Sequence, residues 1–246
     1  MSDFDAAAFL CDFRAEAEQR GFTTEELAQT AAGPILAFTS RSEGEPVYLS
    51  AGMHGDEPAG PLAALELLRS GFFERDLAWT ICPALNPTGL AANTRENAGG
   101  IDLNRDYLRR ETLEIRAHAE WFENRPCPQG FFSLHEDWES SGFYFYEINL
   151  GDDHPERAAA IIDAVRPWFR PEPEALIDDH ETRAPGWIYH HADADFPDLW
   201  PEAIFLAKRG CPLSFTFETP SSADLASRIA AHMAAVKGAV AHRRAS

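Results

Sequence analysis

The sequence predicts an α/β fold: a three-layer α/β/α arrangement around a central mixed, mostly parallel sheet of about eight strands. Three observations predict it. Short β-branched or aromatic runs alternate with amphipathic helical runs along most of the 246 residues. Hydrophobic residues make up 45% of the chain, enough for one substantial core. No linker, internal repeat or low-complexity stretch interrupts it, so residues 1–246 read as a single domain.

Each element has a local reason. Residues 5–19 have helical spacing and stop near Gly21. Pro34–Ser40 and Val47–Met53 read as strands joined by the turn at 42–46, and Pro58 suits the first position of a helix running to Arg69. Leu77–Ala84 is a strand of the buried type. Residues 86–100, with Pro87, Gly89, Gly99 and Gly100, read as a long polar loop. A helix is expected over 111–123, strands over 130–135 and 143–148, and a helix over 155–169 with Ile161, Val165 and Trp168 on one face. Residues 170–198 carry four prolines and read as irregular; a stretch that long in a compact domain is usually functional or mobile. A short helix over 200–208, a strand over 213–219 and a final helix over 222–240, capped by Ser221 or Ser222, complete the chain.

Composition excludes several classes. There are 21 basic and 40 acidic residues, a formal net charge of -19, which disfavours nucleic acid and anionic membrane as partners. Residues 1–19 have no basic start and no apolar run, and no stretch suits a bilayer span, so a cytoplasmic location is expected. The four cysteines form no C-x-x-C pair; Cys82 and Cys211 fall in or beside strands and read as buried thiols.

The chemistry starts at Ala51-Gly52-Met53-His54-Gly55-Asp56-Glu57-Pro58. A strand ends on a histidine, turns through glycine and offers a glutamate as a helix begins. Taken alone, His-x-x-Glu also describes a capped helix start with a loop histidine. It gains meaning from a second apolar strand, Phe131–Leu134, which also ends on a histidine, His135. Two strands of one sheet then present ligands at one rim, where α/β proteins build their sites. Two histidines and a glutamate hold zinc with the fourth position open, the arrangement of catalytic rather than structural zinc sites.

Further residues supply the remaining roles. Asp102 is placed to accept from the outward nitrogen of a ligand imidazole. Asn104 and Arg105 suit a substrate carboxylate, Arg105 through its rigid charged fork. Arg95 is a candidate donor to the oxyanion of a tetrahedral intermediate. In Ser214-Phe215-Thr216-Phe217-Glu218, alternation puts the phenylalanines on one face and Thr216 and Glu218 on the other. A carboxylate ending such a strand beside a metal is a candidate general base and acid, Glu218. The run His190-His191-Ala192-Asp193-Ala194-Asp195 offers a second set of ligands, but no scaffold visible in sequence fixes their geometry, so it reads as a solvated lid loop. A G-x-S-x-G elbow and an H-E-x-x-H pair are both absent.

As an ordered set, His54-x-x-Glu57, Asn86-Pro87-Thr88-Gly89, Thr94-Arg95, Asp102-Leu103-Asn104-Arg105, His135 and the Glu218 strand resemble the zinc carboxypeptidase family. Size and the short Arg95-to-Asn104 segment are most similar to the small bacterial murein tripeptide amidase-like members. The resemblance implies the zinc carboxypeptidase (phosphorylase/hydrolase-like) fold. It implies one Zn²⁺ per chain on His54, Glu57 and His135, with Glu218 as base and acid and Arg95 as oxyanion donor. Asn104 and Arg105 become the carboxylate clamp and Asp102 the partner of the first histidine. For the family's substrate-capping tyrosine it offers Tyr189, in a stretch where the alignment is loose. The implied activity is a metallocarboxypeptidase or amidase hydrolysing an amide next to a free carboxylate in a small peptide or amino-acid amide. The alternative is an N-acyl amino acid deacylase of the succinylglutamate desuccinylase/aspartoacylase type, whose members usually carry an additional carboxyl-terminal β domain.

Overall fold

Eight strands form one sheet in the order β1-β2-β4-β3-β5-β10-β6-β9, and the chain supplies them in alternation with helices. The structure, a computed structural model, describes residues 4–74 and 77–243. In chain order, α1 (Ala6–Gln19) precedes β1 (Thr23–Thr30), β2 (Gly33–Thr39) and β3 (Glu45–Ala51). Then come α2 (Ala59–Arg69), β4 (Leu77–Cys82), α3 (Pro87–Ala92), α4 (Leu113–Glu123), β5 (Gly130–Asp137) and β6 (Tyr144–Asn149). After α5 (Pro155–Val165), a two-strand hairpin of β7 (Leu176–Ile177) and β8 (His180–Glu181) leads to β9 (Trp187–Tyr189). The chain closes with α6 (Glu202–Lys208), β10 (Leu213–Pro220) and α7 (Leu225–Arg243). The sheet is mixed: β4, β3, β5 and β10 run parallel to their neighbours in that order, as do β6 and β9, while β1, β2 and β6 join antiparallel.

Helices cover both faces, giving the three layers expected. On one face, α1, α2, α5 and α7 bury Phe13, Leu67, Ile161 and Val236 against Phe132, Phe215 and Phe217. On the other, α4 and α6 bury Ile115, Phe122 and Phe205 against Tyr48 and Phe131. Phe215 and Phe217 stack on one side of β10 at 5.8 Å between ring centroids, and both are fully buried. Losing either ring should cost about 3–5 kcal/mol.

Several expectations need correction. β1, Thr-Thr-Glu-Glu-Leu-Ala-Gln-Thr, is a strand where none was expected; it lies on the sheet edge, half exposed, with a register shift between Glu26 and Ala28. Part of the expected polar loop is α3, whose first turn is capped by the Asn86 side chain accepting from Gly89 N at 2.8 Å. The helix expected to reach residue 169 stops at Val165, which leaves Trp168 outside it and 41% exposed. The last helix starts at Leu225, not Ser222, and Asp224 rather than a serine caps it, accepting from Ser227 N at 2.9 Å. None of the four cysteines is in a disulfide, and Cys82 and Cys211 are buried as expected. Among the described residues, no helix is long and apolar enough to cross a membrane.

Candidate metal centre and cleft

The carboxyl ends of the parallel strands open onto a cleft of about 600 Å³ that contains His54, Glu57, Arg95, Arg105, His135 and Glu218. Their placement follows from local structure. His54 lies just beyond β3 and Glu57 just before α2. His135 is on β5, and the parallel register sets Glu218 of β10 beside it. On β10, Thr216 and Glu218 face the cleft while Phe215 and Phe217 face the helices.

Two close contacts fix the His54 turn. A methyl group on Gly55 would lie 1.8 Å from the backbone of Gly89, so only glycine allows these two segments to touch. Asn86 then ties three segments together. Its Nδ2 donates to the carbonyls of Met53 and Arg95, each at 3.3 Å, and its Oδ1 accepts from Gly89 N. The start of α2 is held against β5: Ala59 N donates to Glu136 Oε1 at 2.7 Å, and the other Glu136 oxygen pairs with Arg228 of α7. The segments bearing His54, Glu57, Arg95 and His135 are thereby locked to one another.

At the centre, His54 Nδ1 and His135 Nδ1 are 3.2 Å apart, and the Glu57 carboxylate lies 2.7 Å from the first and 2.9 Å from the second. All three side chains are about 95% or more buried. His54 turns its outward nitrogen, Nε2, to Asp102 Oδ1 at 3.1 Å. Arg95 reaches Asp102 Oδ2 through Nη2 at 3.1 Å and Glu57 through Nη1 at 3.6 Å.

The electrostatics reflect this crowding of charge. Burial disfavours a charged Glu57, but the facing His54 and His135 outweigh it and hold the carboxyl below its ordinary range. Burial also opposes protonation of His54, yet Glu57 and Asp102 push it up to about 9. His135 is lowered, chiefly by burial. Asp102 is held low despite burial, through its hydrogen bond to His54 and the charge of Arg95. Glu218 is raised well above the usual carboxylate range by burial, reinforced by Glu57, Asp137 and Asp178 and opposed by Arg95.

The donor set fits a divalent metal. Two imidazole nitrogens and a carboxylate converge, with ligand atoms all within 4.8 Å of one another. A proton can serve one pair of these lone pairs, whereas a divalent cation serves all three and leaves a coordination position toward the cleft. Asp102 completes the pattern by engaging the far nitrogen of His54, which orients the ring and fixes its tautomer.

The remaining site residues are placed as follows. Asn104 and Arg105 line the cleft. Asn104 Oδ1 accepts from Glu202 N at 3.0 Å, which turns its Nδ2 the other way, and Arg105 Nη1 donates to the Asn104 carbonyl at 2.9 Å. Tyr189 is corrected: it does not line this cleft. β9 pairs with β6 so that Tyr189 stands beside Glu147 on the helix-covered face, where it packs against Trp187 and Arg183. The tyrosines of the cleft wall are Tyr144 and Tyr146 of β6. Their hydroxyls donate to Asp137 at 3.2 Å and Asp178 at 2.9 Å. The run Phe143-Tyr144-Phe145-Tyr146 carried that signal, since period-two alternation places its tyrosines on one face and its phenylalanines on the other. Glu202, 1% exposed at the cleft floor, was also missed; nothing in its local sequence marks it.

Fold and site together describe a three-layer α/β protein whose His54, Glu57 and His135, suited to a divalent metal, converge at the strand-end rim. Residues 43–164 match the succinylglutamate desuccinylase/aspartoacylase catalytic domain. That match covers 122 of the 246 residues, and the fold is shared with solved metallopeptidases and carboxypeptidases. It is similar to a candidate metallopeptidase from Shewanella denitrificans OS217, 27% identical over 98% of this chain and 91% of that one, with a TM-score of 0.85. A candidate metallopeptidase from Shewanella amazonensis SB2B is 26% identical over 98% and 94% of the two chains, also at 0.85. A metallo-carboxypeptidase from Burkholderia cenocepacia shares the fold at 19% identity, covering 97% of this chain and 68% of that one, with a TM-score of 0.72. No curated protein matches the chain in sequence.

Proposed function

We propose that the protein is a zinc-dependent amidase of the carboxypeptidase type that cleaves an amide bond beside a free carboxylate in a small substrate. The observation that carries this reading is the gathering of Glu218, Arg95 and Arg105 around the His54–Glu57–His135 cluster in one cleft.

His54, Glu57 and His135 would hold the ion, which when bound supplies a Lewis acid that acidifies water and polarises the scissile carbonyl. The protein's own groups carry the rest. Arg105 and the Asn104 amide engage the substrate carboxylate and fix the scissile bond against the cluster. Glu218, acting from its carboxylate form, takes the proton of the attacking water, and the burial that raises its proton affinity suits it to hold that proton and return it to the leaving nitrogen. Arg95 donates to the developing oxyanion. Tyr144 and Tyr146 form the wall that confines the substrate side chain.

The family match supports a second reading, an N-acyl amino acid deacylase, which uses the same groups on a different acyl donor. A substrate panel separates the two: C-terminal peptides, γ-glutamyl-diaminopimelate peptides and N-acyl amino acids, each with and without chelator. Chelator-sensitive cleavage of the peptides supports the amidase. Turnover confined to N-acyl amino acids selects the deacylase, and turnover insensitive to chelator overturns both.

A further inference from the structure

A second constellation of ligands stands on the rim of the same cleft. His180 of β8, His190 just after β9 and Asp195 in the following loop bring ligand atoms within 4.8 Å of one another. His180 Nε2 lies 3.4 Å from Asp195 Oδ2, and His190 Nε2 lies 3.5 Å from Asp195 Oδ1. These separations are long for charge-assisted hydrogen bonds, which run about 2.7–2.9 Å. They suit two ligands of one ion. Metal–ligand bonds of about 2.0–2.1 Å in a tetrahedral site set neighbouring ligand atoms about 3.3–3.4 Å apart.

The tautomer of His190 points the same way. Its Nδ1 sits against the carbonyl oxygen of His191, so that nitrogen carries hydrogen and donates. That leaves Nε2, the nitrogen facing Asp195, as the atom available to ligate an ion, the tautomer a metal-bound imidazole needs. The rings are also buttressed. His180 and His190 meet edge to face at 4.7 Å, and Tyr146 packs edge-on against both, at 5.5 and 6.0 Å. Tyr146 is itself held by Asp178. Asp195 is 55% exposed, which leaves an entry path from solvent.

We propose that His180, His190 and Asp195 form a second divalent-cation site, of the imidazole–carboxylate type that takes Zn²⁺ or Co²⁺, on the rim of the cleft. Bound there, an ion would clamp the β7–β8 hairpin, the end of β9 and the 191–198 loop together and make that rim cationic.

The test is the stoichiometry of Co²⁺ binding to chelator-stripped full-length protein, followed by calorimetry and visible absorbance. The intact protein should take up two equivalents. His190→Ala and Asp195→Asn should each take up one, with unchanged circular dichroism. His135→Ala should also retain one equivalent, now bound at the rim, whose absorbance should vanish in the double variant His135→Ala/His190→Ala. An intact protein that saturates at one equivalent lost in His135→Ala overturns the rim site, as does a His190→Ala variant that still binds two. One equivalent lost in His190→Ala but kept in His135→Ala would retain the rim site and overturn the His54–Glu57–His135 centre instead. Should His135→Ala fail to fold, the comparison of intact protein with His190→Ala decides alone.

Discussion

His54 and Asp102 are joined through the outward nitrogen of the imidazole: Nε2 lies 3.1 Å from Asp102 Oδ1, while Nδ1 faces Glu57 and His135. The aspartate therefore decides which nitrogen of His54 carries hydrogen and which offers its lone pair to the cluster. Asp102→Ala should weaken Zn²⁺ binding by about 10–100-fold, measured by competition with a chromophoric chelator. An unchanged affinity would remove Asp102 from that role.

Glu218 shares the cleft with the cluster but contributes no atom to it. Glu218→Gln should keep the metal content of the intact protein and lower kcat by about 10²–10⁴. A variant that loses metal would place Glu218 among the ligands, and one that keeps full kcat would remove it from proton transfer.

The two cleft arginines should separate kinetically. Arg105→Lys keeps the charge but loses the planar fork, so KM for a carboxylate-bearing substrate should rise with kcat nearly intact. Arg95→Ala removes a donor needed only as the oxyanion forms, so kcat should fall by about 10²–10³. Steady-state kinetics on one substrate checks both, and equal effects on KM from the two variants would contradict the assignment.

Glu202 makes a stability prediction of its own. Burial pushes its carboxyl up to about 7 from an ordinary 4.5, opposed by the Ser50 hydroxyl, which donates to Oε2 at 2.7 Å. Between those two values the folded chain keeps a proton that the unfolded chain has released. Stability from this group is therefore full at low pH, falls as pH rises through that window, and falls no further above it. Glu202→Gln should remove the decline, gaining on the order of 3 kcal/mol over the native chain between pH 4 and pH 8. Denaturant titrations giving parallel pH profiles for the two proteins would contradict this.

What could be read from the sequence was whatever local periodicity or a motif encodes. On β10, the contrast between Phe215/Phe217 and Thr216/Glu218 is strong enough to give both the strand and the face of Glu218. His54, Glu57 and His135 were readable because each sits at a junction the chain announces, a strand end or a helix start. β1 was not readable, because an edge strand that buries little needs no apolar alternation. Tyr189 was misplaced because the face of a three-residue strand is set by its pairing with Glu147, a relationship absent from local sequence. His190 and Asp195 were visible as a polar run, but their partner His180 comes from the β7–β8 hairpin, whose turn passes through Asp178 and Asp179 at positive φ. Only folding joins those three.

The central claim is that His54, Glu57 and His135 grip one divalent cation. Anomalous diffraction from a zinc-loaded crystal, collected on either side of the zinc edge, tests it most directly. The expected result is a peak about 2.0–2.1 Å from His54 Nδ1, His135 Nδ1 and a Glu57 oxygen. A zinc-replete crystal in which those three side chains stay paired with one another, with no anomalous density between them, would contradict it.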